Sequence, residues 1–209
     1  MWLVAFCVVP LAAQYPISLA FRPTFNHKPL ALHRTYLEYG ASIAISQWTF
    51  YIADVTLYKG DTPRLRFSPR YHLITMDGYA PYSLTLECPD KPEFDNLRFF
   101  VGIDSSTQMS GALEGDLDPV NGMYWSWQSG YIHVKLEGVS SASPTRLNRF
   151  QLHIGGFRFP FDTRRPIILP VSPKPYLTID VEITPLLSFM HERKIFQVMR
   201  PGSTSSAFV

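Results

Sequence analysis

At 209 residues, 46% of them hydrophobic and 17% charged, the chain can bury one substantial core and is neither disordered nor repetitive. A formal charge of +2, with the 19 basic residues scattered, excludes the electrostatic footprint of a nucleic-acid binder. Eighteen prolines and twelve glycines spread along the length exclude long helices, because proline removes a backbone donor and blocks the preceding turn.

The chain opens on an apolar run, Trp2 to Ala13, too short to span a bilayer. Its length and the small-residue flank at Leu11-Ala12-Ala13-Gln14 fit a secretion signal over residues 1–14, although no Lys or Arg precedes Arg22. The alternative is a buried first strand. Export implies a periplasmic, cell-surface or secreted protein that does not span the membrane. Removal of the run would take Cys7 with it and leave Cys88 alone, so stability must come from the core of a single domain over residues 15–209.

Short runs of period-2 alternation follow. Ile17 to Phe25 reads as a first strand, and Ala41 to Tyr58 as a longer one or a hairpin with Trp48, Phe50 and Ile52 on one face. Leu65 to Met76 reads as a strand ended by Asp77-Gly78, and Tyr82 to Leu86 as another. Phe99 to Ile103, Tyr131 to Leu136, Arg149 to Phe157 and Tyr176 to Ile183 complete about eight strands, while the proline-rich stretches Pro89 to Pro92 and Pro166 to Pro175 read as connections. The pattern predicts an all-β fold, an antiparallel sandwich or jelly-roll-like domain, with at most one short helix, over Leu186 to Val198.

Between the strands at Phe99 and Tyr131 lies a segment that core packing alone does not need. Asp104, Glu114, Asp116 and Asp118 stand among Ser, Gly and Asn, and could cap turns or wrap a hard cation such as Ca²⁺, though the spacing is not that of an EF-hand. Trp125 and Trp127 share a face if their segment is extended. His133 alternates with Ile132 and Val134 and is expected to face solvent; His153 precedes a glycine pair, and His72 sits centrally in its strand. No GxSxG, HExxH, CxxC or phosphate-binding glycine loop occurs, so a catalyst is not expected.

The run Val101-Gly102-Ile103-Asp104-Ser105, then Gly115-Asp116-Leu117-Asp118-Pro119, Gly122-Met123-Tyr124-Trp125-Ser126-Trp127, Ser129-Gly130-Tyr131-Ile132 and Lys135-Leu136-Glu137-Gly138 resembles the hallmark of the MbnP-like family of secreted bacterial proteins. Phe50-Tyr51-Ile52-Ala53-Asp54-Val55, His153-Ile154-Gly155-Gly156 and Val198-Met199-Arg200-Pro201-Gly202 resemble other family segments. The resemblance implies a Cu(I)-binding β protein with a dihaem c-type, peroxidase-like partner that oxidises a tryptophan to kynurenine. It implies Trp125 or Trp127 as the modified residue, with Trp48 as a fallback, and His153 with His72 as copper ligands. The alternative is a Ca²⁺-stabilised sandwich that binds glycan or protein surfaces, with Asp104, Asp116 and Asp118 around the cation.

Overall fold

A computed structural model describes residues 15–76, 81–88 and 90–209; the N-terminal apolar run and the Asp77-Gly78 turn lie outside them. In chain order the strands are β1 Tyr15–Phe25, β2 Lys28–Pro29, β3 Thr35–Glu38, β4 Ala41–Lys59, β5 Thr62–Arg66, β6 Tyr71–Met76, β7 Tyr82–Cys88 and β8 Asn96–Val101. After helix α1, Ser105–Met109, come β9 Tyr124–Ser126, β10 Gly130–Tyr131, β11 Val134–Ser140, β12 Arg149–Ile154, β13 Arg165–Pro170 and β14 Tyr176–Glu182. Helix α2, Thr184–Arg193, strand β15, Gln197–Val198, and helix α3, Ser203–Ser206, close the chain.

The 19-residue β4 is the spine. β3, β6 and β5 pair along one of its edges, and β11 and β8 along the other. A strand can serve five partners only if it bends, and two register breaks supply the bends. Inward-facing residues run Ala41, Ile43, Ile45, shift to Trp48, Phe50, Ile52, and shift back to Val55 and Leu57. The first shift sits at Ser46, where the pairing with β11 slips between Glu137 and Gly138. The second sits at Asp54, whose φ of 56° is a left-handed conformation that aspartate tolerates better than most residues.

The large sheet continues through β11 to β12 and β15 on one side and through β8 to β13 on the other. A smaller sheet, in which β1 pairs antiparallel with β7 and parallel with β14, packs across the apolar core, with Phe21 and Phe99 in an edge-to-face contact at 6.1 Å. Each fully buried Leu, Ile or Phe there contributes about 1.5–3 kcal/mol relative to exposure. Helix α2 closes one end through Leu187 and Met190 and stops at Lys194, in the left-handed conformation that ends helices.

The all-β sandwich is therefore the fold. Three local readings change. The stretch from Leu65 to Met76 is two strands, β5 and β6, taking consecutive positions on the same edge of β4. The supposed connection at Pro166 to Pro175 begins with β13, an edge strand in which Pro166 and Pro170 are tolerated because one side has no ladder to supply. The helix near the C-terminus is α2, joined by the single-turn helices α1 and α3. No helix among the described residues is long and apolar enough to cross a membrane.

Candidate functional site

The segment between β8 and β11 folds back over the outer face of the large sheet and builds a second, smaller core from Tyr51, Ile103, Leu117, Met123, Tyr131 and Ile132, with Tyr124 and Trp125 packed against it. Unlike the main core it is threaded with hydrogen bonds. Tyr51 donates its phenol to the Asp116 carbonyl at 2.8 Å, and Tyr131 donates to the Leu117 carbonyl at 2.9 Å while accepting from the Leu113 amide at 3.0 Å.

This covering layer corrects the reading of His133, which is buried, 1% exposed, rather than solvent-facing. Alternation predicts which side a residue takes, not whether that side is wet. The Tyr131 amide donates to Gln108 Oε1 at 2.5 Å, so Gln108 Nε2 donates to His133 Nε2 at 2.7 Å and the imidazole proton sits on Nδ1, donated to Thr163 Oγ1 at 2.9 Å. Burial pushes its pKa down to about 4, so the ring is neutral with both nitrogens committed. A Cβ at Gly102 would stand 2.5 Å from Nδ1, so only glycine lets β8 turn over the ring.

The acidic side chains do not converge. Asp104 caps α1 through the Thr107 amide at 3.0 Å, takes Tyr71 and Ser106 hydroxyls, and pairs with Arg70 at 3.2 Å. Burial opposes ionisation there, but these donors and Arg70 hold the carboxyl well below the ordinary range. Asp116 accepts the Leu73 amide at 2.8 Å, and Asp118 accepts the Val120 amide at 2.8 Å. Each serves a different stretch of backbone, and among the described residues no group of three or more His, Cys, Asp or Glu could hold a metal ion.

His72 and His153 stand on opposite faces of the large sheet. His72 is paired with Ile52, whose side chain enters the main core, whereas His153 is paired with Lys135 and, through it, with Thr49 on the covered face. His72 is buried with Nε2 lacking a partner, and burial lowers its pKa against the opposing pull of Asp116. His153 is oriented: its Nε2 meets Glu137 Oε1 at 2.6 Å, which makes Nε2 the protonated nitrogen and leaves Nδ1 with a free lone pair.

Trp125 lies on the His153 side. A Cβ at Gly155 would stand 2.9 Å from Trp125 Cζ3 and 2.8 Å from the Tyr131 carbonyl, so the glycine two residues beyond His153 is the cradle that admits the indole. Trp125 Nε1 is buried with no hydrogen-bond partner among the described residues. Trp127 does not share its setting: β9 ends at Ser126, and Trp127 sits on the following turn, 74% exposed. Trp48 is core, packed on Phe50 at 5.7 Å.

One residue near His153 had no signal in local spacing. β12 and β15 are parallel, with Gln151 beside Gln197 and Leu152 beside Val198. Met199 follows directly after β15, the strand that pairs with that of His153, and is 47% exposed. The Ser205 hydroxyl ties α3 to this strand by accepting the Gly155 amide at 2.9 Å and donating to its carbonyl at 2.8 Å. Met199 also lines a cleft of about 660 Å³ with Phe161 and the Arg200–Thr204 segment.

The sequence matches the MbnP family model over residues 14–199. The chain belongs to the MbnP family. Among solved structures it is similar to MbnP from Methylosinus trichosporium, with a TM-score of 0.64 at 14% identity, over 84% of this chain and 78% of that one. At that identity the likeness speaks to the MbnP fold alone. No curated protein matches the sequence.

Proposed function

We propose that this MbnP-family chain is an exported, non-catalytic protein that binds copper as Cu(I), with His153 Nδ1 and the Met199 thioether as donors beside Trp125. The observations that carry the reading are an imidazole fixed by Glu137, an indole cradled on Gly155 two residues further along the chain, and a methionine directly after β15, the strand paired with that of His153. Imidazole and thioether suit a cuprous ion, for which a carboxylate cage would be a poor host. Glu137 holds the imidazole tautomer, and the His153 bond in turn keeps the Glu137 carboxyl below its ordinary pKa. Family membership supports the same metal.

Trp125 is the residue proposed for oxidation to kynurenine by a dihaem partner. Its indole nitrogen is, with Thr49 Oγ1, one of the buried polar atoms on this face without a hydrogen-bond partner among the described residues, and ring opening there would give an aryl amine and a ketone. With two equivalents of hydrogen peroxide as the oxidant, each reduced to water, two oxygen atoms enter across the indole C2–C3 bond, and water then removes the severed carbon as formate, a net gain of one oxygen and loss of one carbon.

The test is the intact mass and copper content of the protein produced with and without such a partner, followed by anaerobic Cu(I) titration of variants. His153→Ala and Met199→Leu are expected to weaken binding at least about ten-fold, as loss of a metal donor or its support typically does, while His72→Ala leaves it unchanged. Copper uptake that survives Met199→Leu intact, or that disappears with His72→Ala in a folded protein, would overturn the ligand set.

A further inference from the structure

We propose that the outer face of β5, β4, β8 and β13 carries a second binding site, for a small organic carboxylate with an apolar body. It is separate from the copper reading and does not rest on it.

The register aligns Arg66, Thr56, Arg98 and Ile168 in one cross-strand row on that face, because Thr56 pairs with both Arg66 and Arg98, and Arg98 with Ile168. Neighbouring strands lie about 4.8 Å apart, so two arginines flank a small residue with their Cα atoms about 10 Å from each other. Thr56 leaves the space between them low, its hydroxyl turned back to the Asp54 carbonyl at 2.9 Å. The result is a groove of about 350 Å³, within the size range of small-ligand sites.

The two arginines are not equally occupied. Arg98 is tied to Asp61 at 2.7 Å, the Gly60 carbonyl at 2.8 Å and Asn96 at 2.7 Å, and lies over the Tyr58 ring at 4.2 Å. Among the described residues the only ion-pair partner of Arg66 is Asp54, at 3.9 Å, and both Asp54 oxygens are already taken by Arg70, at 3.0 and 3.2 Å, and by Arg164, at 3.2 Å. The Asp54 charge is thus shared among three guanidinium groups, and Arg66 is left with its fork of donors facing the groove. That fork matches a carboxylate bidentately. Beyond Arg98 the lining is apolar, formed by Phe100, whose ring carries the Arg164 guanidinium at 3.5 Å, and by Pro166 and Ile168, the last 62% exposed on the sheet face. A ligand satisfying both walls carries its anion toward Arg66 and its apolar part against Phe100 and Ile168.

Titration of the ¹⁵N-labelled protein with 3-phenylpropionate tests this, with 3-phenylpropanol lacking the charge and acetate lacking the body. Saturable binding is expected, with shifts confined to β4, β5, β8 and β13, and both controls binding at least about ten-fold more weakly. Arg66→Gln and Ile168→Glu, both at exposed positions and checked for an unchanged melting temperature, are each expected to weaken it about ten-fold or more, the scale of a lost charge-assisted bond. No saturable binding, equal binding of acetate, or full affinity in Arg66→Gln overturns the proposal.

Discussion

The two faces of the large sheet solve different problems with the same strand. On the inner face, β4 contributes Trp48, Phe50 and Ile52 to a core that is almost wholly apolar, and the one histidine there, His72, has no partner for its Nε2. On the outer face, Thr49 and Tyr51 from the same strand meet a layer in which phenols, an amide side chain and a neutral imidazole are bonded to one another and to backbone. The inner face holds the fold by area; the outer layer holds positions by hydrogen bonds, and Trp125 packs against it. Chemistry that needs fixed donors belongs to the second kind of packing, because directional bonds set where an atom sits, whereas burial sets only that it is inside.

The sharpest way to break the comparison is to damage the inner face alone. Leu136, fully buried opposite Trp48, should cost about 2–5 kcal/mol when cut to alanine, the range for a core leucine left as a cavity. Urea denaturation would read this as a lower midpoint. If copper binds as proposed, the folded fraction should keep its stoichiometry, since the proposed donors lie on the other face.

Acid attacks the outer layer next. A histidine whose folded pKa lies at about 4, below its ordinary 6.5, is neutral when folded and binds a proton on unfolding, so its contribution is complete above pH 6.5 and is lost as pH falls toward 4. For His133 the loss is on the order of 3 kcal/mol. Burial also lowers His72 and His191, which act in the same sense. Asp104, held below the ordinary range, is lost only further down, as pH falls through the carboxylate region. Stability measured from pH 7 to 4 should therefore fall, and His133→Gln should flatten that fall while lowering the pH 7 value. A slope unchanged by the substitution would place the acid sensitivity elsewhere.

Much of this was legible in the sequence, and the losses have physical reasons. β1 and β14 announce themselves because each alternates against one core, and β4 because its apolar run is long enough to survive two changes of face. β13 did not, because prolines at both ends look like breakers unless the strand is known to lie at an edge. His133 was misassigned because alternation assumes one wet face, and only the folded-back segment from Asp104 to Tyr131 shows that this face is dry. Trp125 and His153 stand in recognisable family segments. Met199 carried no signal, since what brings its segment to β12 is a two-residue parallel bridge between strands distant in sequence.

The smallest effect separates the two tryptophans. Trp127 is on a turn and exposed, so Trp127→Ala should change stability by no more than about 0.5 kcal/mol, as surface substitutions usually do. Trp125 fills the space above Gly155 that no side chain at that glycine could share. If the oxidised residue is Trp125, the Trp127→Ala protein produced with the dihaem partner still carries the one-oxygen, one-carbon mass change and still takes up copper. Loss of both in a protein of unaltered stability would make the exposed indole the reactive one, and the buried one its support.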